Sequence, residues 1–155
     1  MSFQIHSLPA ARFADFYGKS DSDLRALGVI TQIADSKPGF PCRVSLCDAE
    51  PGTRMLLLNF EHQPAATPYR SAHAIYVAED AREAKPGVDE IPDQLRSRLI
   101  SARAFSADGM LLDADVAQGD DIAPMFERLL ASDNAAYLHA HFARFGCYAA
   151  RVDRA

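Results

Sequence analysis

The chain has 155 residues, 16 Lys and Arg against 21 Asp and Glu, a net charge of −5, and 48% hydrophobic residues. That apolar fraction excludes a disordered chain, and three cysteines (Cys42, Cys47, Cys147) are too few for a disulfide scaffold and fit a reducing compartment. The acidic balance gives no long-range attraction for nucleic acid, and no apolar run approaches the roughly 20 residues of a membrane helix. Neither nucleic acid nor membrane is therefore an expected partner. The opening residues show no basic start followed by an apolar run, so no signal peptide is expected and the location is read as cytoplasmic.

In chain order, Phe3 to Leu8 reads as a short strand. Pro9 starts a helix with Ala10, Phe13, Phe16 and Tyr17 at helical spacing. Ser20 to Asp23 offers N-cap residues for a second short helix that Gly28 stops. Val29 to Ile33 reads as a strand, and Asp35 to Pro41 as a loop, because two prolines and a glycine block both periodicities. Cys42 to Leu46 alternates weakly and reads as a further strand. Arg54 to His62 is a strong strand with Leu56, Leu58 and Phe60 on one face, and Ser71 to Ala78 is its hairpin partner. Glu79 to Glu90 is charged, holds Pro86-Gly87, and reads as a mobile surface loop.

Pro92 opens a short helix to Arg98. Leu99 to Ser106 and Met110 to Val116 flank Asp108-Gly109, the strongest hairpin signal in the chain. Asp120 and Asp121 are read as caps of a helix running to Ala131. Ala136 to Ala143 and Cys147 to Asp153 form a last hairpin around Arg144-Phe145-Gly146. Hairpins imply antiparallel pairing. The expected fold is α+β: a single domain over residues 1–155, one mostly antiparallel sheet built from hairpins, and three or four short helices packed on it.

Candidate chemistry begins at Tyr137-Leu138-His139-Ala140-His141. Strand residues two apart point the same way, so His139 and His141 share a face and are candidates for acid–base catalysis. Two histidines on the polar face of a half-buried strand is the plainer reading. A zinc site needs three or four protein ligands, and this motif supplies two. The spacing does not place His62 or His73 beside them, so no residue is assigned as a metal ligand and no cofactor is expected. Cys42 is a candidate nucleophile beside Arg43, set against a buried structural thiol. His62 and His73 bracket the loop holding Tyr69 and Arg70, and a hairpin brings them together near its tip. Arg70 suits a carboxylate or phosphate, or ties its own loop to the backbone.

The acidic stretch Asp113, Asp115, Asp120, Asp121 fails as a calcium loop, because Gln118 stands at the glycine position and Pro124 at the terminal glutamate position. Phosphate-cradling glycine loops, the serine-hydrolase elbow and the zinc-protease helix motif are missing as well.

Together, Asp35-Ser36-Lys37-Pro38-Gly39-Phe40-Pro41-Cys42-Arg43-Val44-Ser45-Leu46, Glu61-His62-Gln63 with Pro68-Tyr69-Arg70-Ser71, and Tyr137 to His141 with Gly146-Cys147-Tyr148-Ala149-Ala150-Arg151 resemble the bacterial domain-of-unknown-function family 1203. The resemblance spans roughly Phe3 to Arg154. It implies a small stand-alone single-domain bacterial protein and no particular reaction. Where that family's C-terminal motif carries Asn after its second His, this chain carries Phe142.

The function expected from the residues is binding of a small polar or anionic ligand in a pocket lined by Arg43, His62, Tyr69, Arg70 and Arg103. Catalysis would run through Cys42 with His139 or His141. The alternatives are a non-catalytic interaction or homodimerisation module, and a metal site on the His-x-His strand.

Overall fold

A computed structural model describes all residues 1–155. Its strands are β1 (Phe3–His6), β2 (Ile30–Ile33), β3 (Arg54–Gln63), β4 (Ser71–Ala78), β5 (Ile100–Phe105), β6 (Leu111–Ala117), β7 (Tyr137–Phe142) and β8 (Tyr148–Arg154). The helices are α1 (Asp21–Ala26), α2 (Asp93–Arg96) and α3 (Ile122–Leu130), with 3₁₀ turns at Ala10–Phe16 and Gly119–Asp121. The α+β class with antiparallel pairing is as expected, but the strands lie in two sheets rather than one: β1-β8-β7-β5-β6 and β2-β3-β4. The chain divides into two compact units, Met1–His6 with Glu61–His73 and Lys85–Ala155, and Ser7–Phe60 with Ala74–Ala84.

The first unit is built on the five-stranded antiparallel sheet. Period-two alternation gives the sheet one apolar face, carrying Phe3, Ile5, Ile100, Ala102, Ala104, Leu138, Ala140, Ala150 and Val152, all buried. α3 covers that face with Ile122, Met125, Phe126, Leu129 and Leu130, spaced three and four apart as an amphipathic helix requires. The alanines beneath let the helix sit close, and Phe126 meets Phe3 edge-on at 5.5 Å between ring centres. Arg128 pairs with Asp115 and lies 3.6 Å from Asp113, which fastens α3 to β6. The sequence's acidic stretch is thus accounted for in part by this helix–strand pairing.

The other face of the sheet is polar and aromatic. Register places Arg103 opposite His139 and His139 opposite Arg151. A bulge at Ala149 sets Tyr148 opposite His141. The Asp108-Gly109 turn forms as expected, with Gly109 at φ +84° and its N–H donating to Ser106 O at 3.0 Å. Above it, Thr67 Oγ1 donates to Gly109 O at 3.1 Å and Gln63 Nε2 to Tyr137 Oη at 2.9 Å. These bonds seat residues 61–73, the ends of β3 and β4 and their connecting loop, on the polar side.

In the second unit β2 pairs antiparallel with β3, and Leu24, Val29, Val44, Leu46, Met55, Leu56, Leu58, Ile75 and Val77 are buried. Ser20 caps α1 by accepting from Asp23 N at 3.2 Å. Arg54 binds Asp21 and Glu79, each at 2.8 Å.

Several local readings need correction. Cys42 to Leu46 is not a strand; only isolated bridges Pro41↔Asp48 and Cys42↔Tyr76 occur, because the residues turn before a ladder can extend. The helix after Pro9 is a 3₁₀ turn. Asp120 and Asp121 form part of the 3₁₀ turn before α3 and give it no side-chain cap; Asp120 binds Arg96 instead. The stretch after Glu79 lacks regular structure, yet it is fastened at several points. Ala84 N donates to Val44 O at 2.8 Å, Gln4 Nε2 to Pro86 O at 2.5 Å, and Phe3 N to the Asp89 carboxylate at 2.8 Å.

Candidate metal centre

Four of the five histidines gather on the polar side of the first unit. β7 supplies His139 and His141, which share a face as their spacing predicts. The end of β3 supplies His62 and the start of β4 supplies His73. The expected meeting of His62 and His73 occurs: the rings lie nearly parallel with centres 4.8 Å apart and meet edge to edge, Nε2 of His62 sharing a hydrogen bond with Nδ1 of His73 at 2.7 Å. His62 also lies edge-on to His139 at 5.6 Å and to His141 at 5.0 Å. The Tyr148 ring lies nearly parallel to that of His62, with centres 5.1 Å apart.

One nitrogen each from His62, His73 and His141 lies within 4.8 Å of the other two. His141 Nδ1 contacts Gly146 O at 2.9 Å. A carbonyl only accepts, so Nδ1 carries the proton and Nε2 keeps its lone pair. A backbone carbonyl that fixes the ring and tautomer in this way is the usual outer support of a metal-binding histidine. Gly146 holds the turn that presents this carbonyl, at φ +79°, a conformation that suits glycine. Nδ1 of His62 and Nδ1 of His139 are buried and have no hydrogen-bond partner.

Electrostatics keep these rings neutral. Burial, then His73 and Arg103, lowers the His62 pKa to about 4. Burial, then His62, Arg151 and Arg103, lowers His139 to about 3. His141 falls to about 3 through burial, against the opposing bond to Gly146 O. His73 is half-buried and is lowered by desolvation and by Arg103. Near neutral pH the cluster is therefore a set of lone-pair donors, the form in which imidazole binds metals.

An open cleft of about 520 Å³ adjoins the cluster, with His62, Gln63, Tyr137, His139 and Arg151 in its wall. Arg151 lies over the Tyr137 ring at 4.1 Å, and its guanidinium is bound to both oxygens of Asp153 at 2.8–3.0 Å. Arg103 is part-buried, its guanidinium makes no hydrogen bond or ion pair, and desolvation lowers its pKa.

The remaining candidates stand elsewhere. Tyr69 and Arg70 are exposed, and Arg70 Nε binds Glu61 at 3.1 Å as a surface ion pair. Cys42 and Arg43 belong to the second unit and are each 1% exposed. The Cys42 sulfur accepts from Ala78 N at 3.3 Å, and Arg43 Nη1 donates to Pro41 O at 2.6 Å. Both are placed as supports of the loop that holds them. Sequence reading did not assign Tyr148 or the Gly146 carbonyl to the site. The glycine in the last hairpin was the only signal for the second.

Fold and site together define a small α+β protein with a buried, neutral histidine cluster on one face of an antiparallel sheet. By sequence the chain belongs to the family described as protein of unknown function (DUF1203), whose model matches residues 39–154. All four clustered histidines fall within that match. No curated protein and no solved structure matches the chain. No helix is long and apolar enough to cross a membrane.

Proposed function

We propose that this protein binds a divalent transition-metal ion through His62, His73 and His141. The convergence of three imidazole nitrogens within 4.8 Å supports this reading most strongly. Zinc or a similar borderline ion takes imidazole nitrogen at about 2.0–2.1 Å, so three ligands around one ion stand about 3.3 Å apart. The nitrogens need to shift by roughly an ångström or less to reach that spacing. An all-imidazole set suits Zn²⁺, Co²⁺, Ni²⁺ or Cu²⁺ over Mg²⁺ or Ca²⁺, which prefer oxygen. Three protein ligands leave a coordination position open, the arrangement of sites that bind or activate a further ligand. His139 lies beside the three rather than among them.

Titration calorimetry of untagged protein with zinc tests the proposal. One ion per chain is expected, with affinity falling at least about tenfold in His62→Gln, His73→Gln and His141→Gln. Equal affinity in all three variants, or no stoichiometric binding by the wild type, contradicts it.

A further inference from the structure

We infer that the open position of this metal site is filled by a small oxyanion, a carboxylate or a phosphate, held at its other end by the Arg103 guanidinium. The inference rests on the metal reading above and names the class of ligand for that site.

Charge balance motivates it. His62, His73 and His141 are neutral ligands, and no carboxylate stands among them. A divalent ion bound there brings two positive charges, and Arg103 adds a third from the same face of the sheet. Cross-strand pairing puts Arg103 directly opposite His139, and its charge acts on all four clustered histidines. Among the strand residues of that face only Asp153 is acidic, and it is engaged by Arg151 and by His6. The sheet face thus provides no free counter-charge for either the ion or Arg103, and Glu61, beside His62, is paired with Arg70.

An unpaired, half-desolvated guanidinium is costly unless a partner arrives. One oxygen of a carboxylate or phosphate accepts from its planar fork while a second oxygen of the same group is free to reach the metal. Arg151, the other arginine of this face, has its charge already paired with the Asp153 carboxylate through Nε and Nη2. Because Arg103 is part-exposed, a small ligand reaches it from solvent.

Cobalt-loaded, untagged protein provides the test, because the visible bands of Co²⁺ report its ligands directly. Acetate and inorganic phosphate are titrated separately, which distinguishes a carboxylate preference from a phosphate preference. The wild type is expected to change its cobalt spectrum with at least one of them. Arg103→Gln is expected to retain the cobalt bands but to need at least about tenfold more anion. By reciprocity, the anion should tighten cobalt binding in the wild type and do so at least about tenfold less in the variant. Cobalt bands that ignore both anions, or a variant that saturates at the wild-type anion concentration, overturn this inference and leave the metal reading standing. A wild type that never develops cobalt bands overturns both. Should Arg103→Gln fail to fold, Arg103→Lys is titrated in its place, since it keeps the charge and loses the fork; unchanged anion affinity there overturns the inference equally.

Discussion

Acidification under a metal chelator should destabilise the protein through its buried histidines. In an unfolded chain each imidazole has a pKa of about 6.5, whereas His62 is held at about 4 and His139 and His141 at about 3 in the fold. The folded values are depressed, so below about pH 6.5 the unfolded chain binds protons that the native state refuses. The stabilisation is complete above the unfolded value and is lost as pH falls toward the folded ones. At about pH 5.5 protonation of the unfolded chain costs the native state between about 1 and 2 kcal/mol per histidine, compared with almost nothing at pH 7.5. Three histidines together give about 4 kcal/mol, a large share of the 5–15 kcal/mol typical of a domain. His73 acts in the same direction. Urea unfolding followed by circular dichroism at the two pH values, with EDTA present, measures the loss. In His139→Gln the pH-dependent part should shrink by about a third. A wild-type stability that stays within about 1 kcal/mol across this range would refute the claim that the fold holds these rings neutral.

Three further outcomes follow from packing and exposure. Gly109→Ala should lower stability by more than the roughly 1–2 kcal/mol of a left-handed alanine, because the new Cβ would run into Ala65 Cβ; thermal unfolding reads it, and a shift within error would contradict the close approach. Phe126→Ala should cost about 3–5 kcal/mol, since the ring is fully buried against Phe3, and a loss under about 1 kcal/mol in urea would mean α3 is not seated as described. Iodoacetamide should modify exposed Cys47 first and Cys42 only after unfolding; peptide mass spectrometry showing rapid Cys42 labelling in native protein would restore the thiol as a candidate for chemistry.

Much of the fold is legible where one face of a strand is apolar and the other is not. β3, β5 and β7 carry that alternation, and Asp108-Gly109 marks its turn without help from the rest of the chain. The errors fall where local signals are short. Cys42 to Leu46 has a weak period and a single bridge, Cys42 to Tyr76, so tertiary contacts decide its path. Asp120 has two competing partners, a helix end and Arg96, and a sequence does not show that the arginine wins. The site was legible in halves. Period two puts His139 and His141 on one face, and the hairpin brings His62 to His73. That the halves join depends on Gln63 reaching Tyr137 and Thr67 reaching Gly109, contacts between segments far apart in sequence. That His141 rather than His139 is the third ligand follows from where its nitrogen lies, within 4.8 Å of those of His62 and His73, which strand periodicity does not show.

The most direct measurement is a crystal of untagged protein soaked in zinc, with anomalous scattering recorded at the zinc edge. One strong peak is expected at about 2.0–2.1 Å from a nitrogen of each of His62, His73 and His141. A crystal without a peak there, or with zinc only at an exposed pair such as His6 and Asp153, would contradict it.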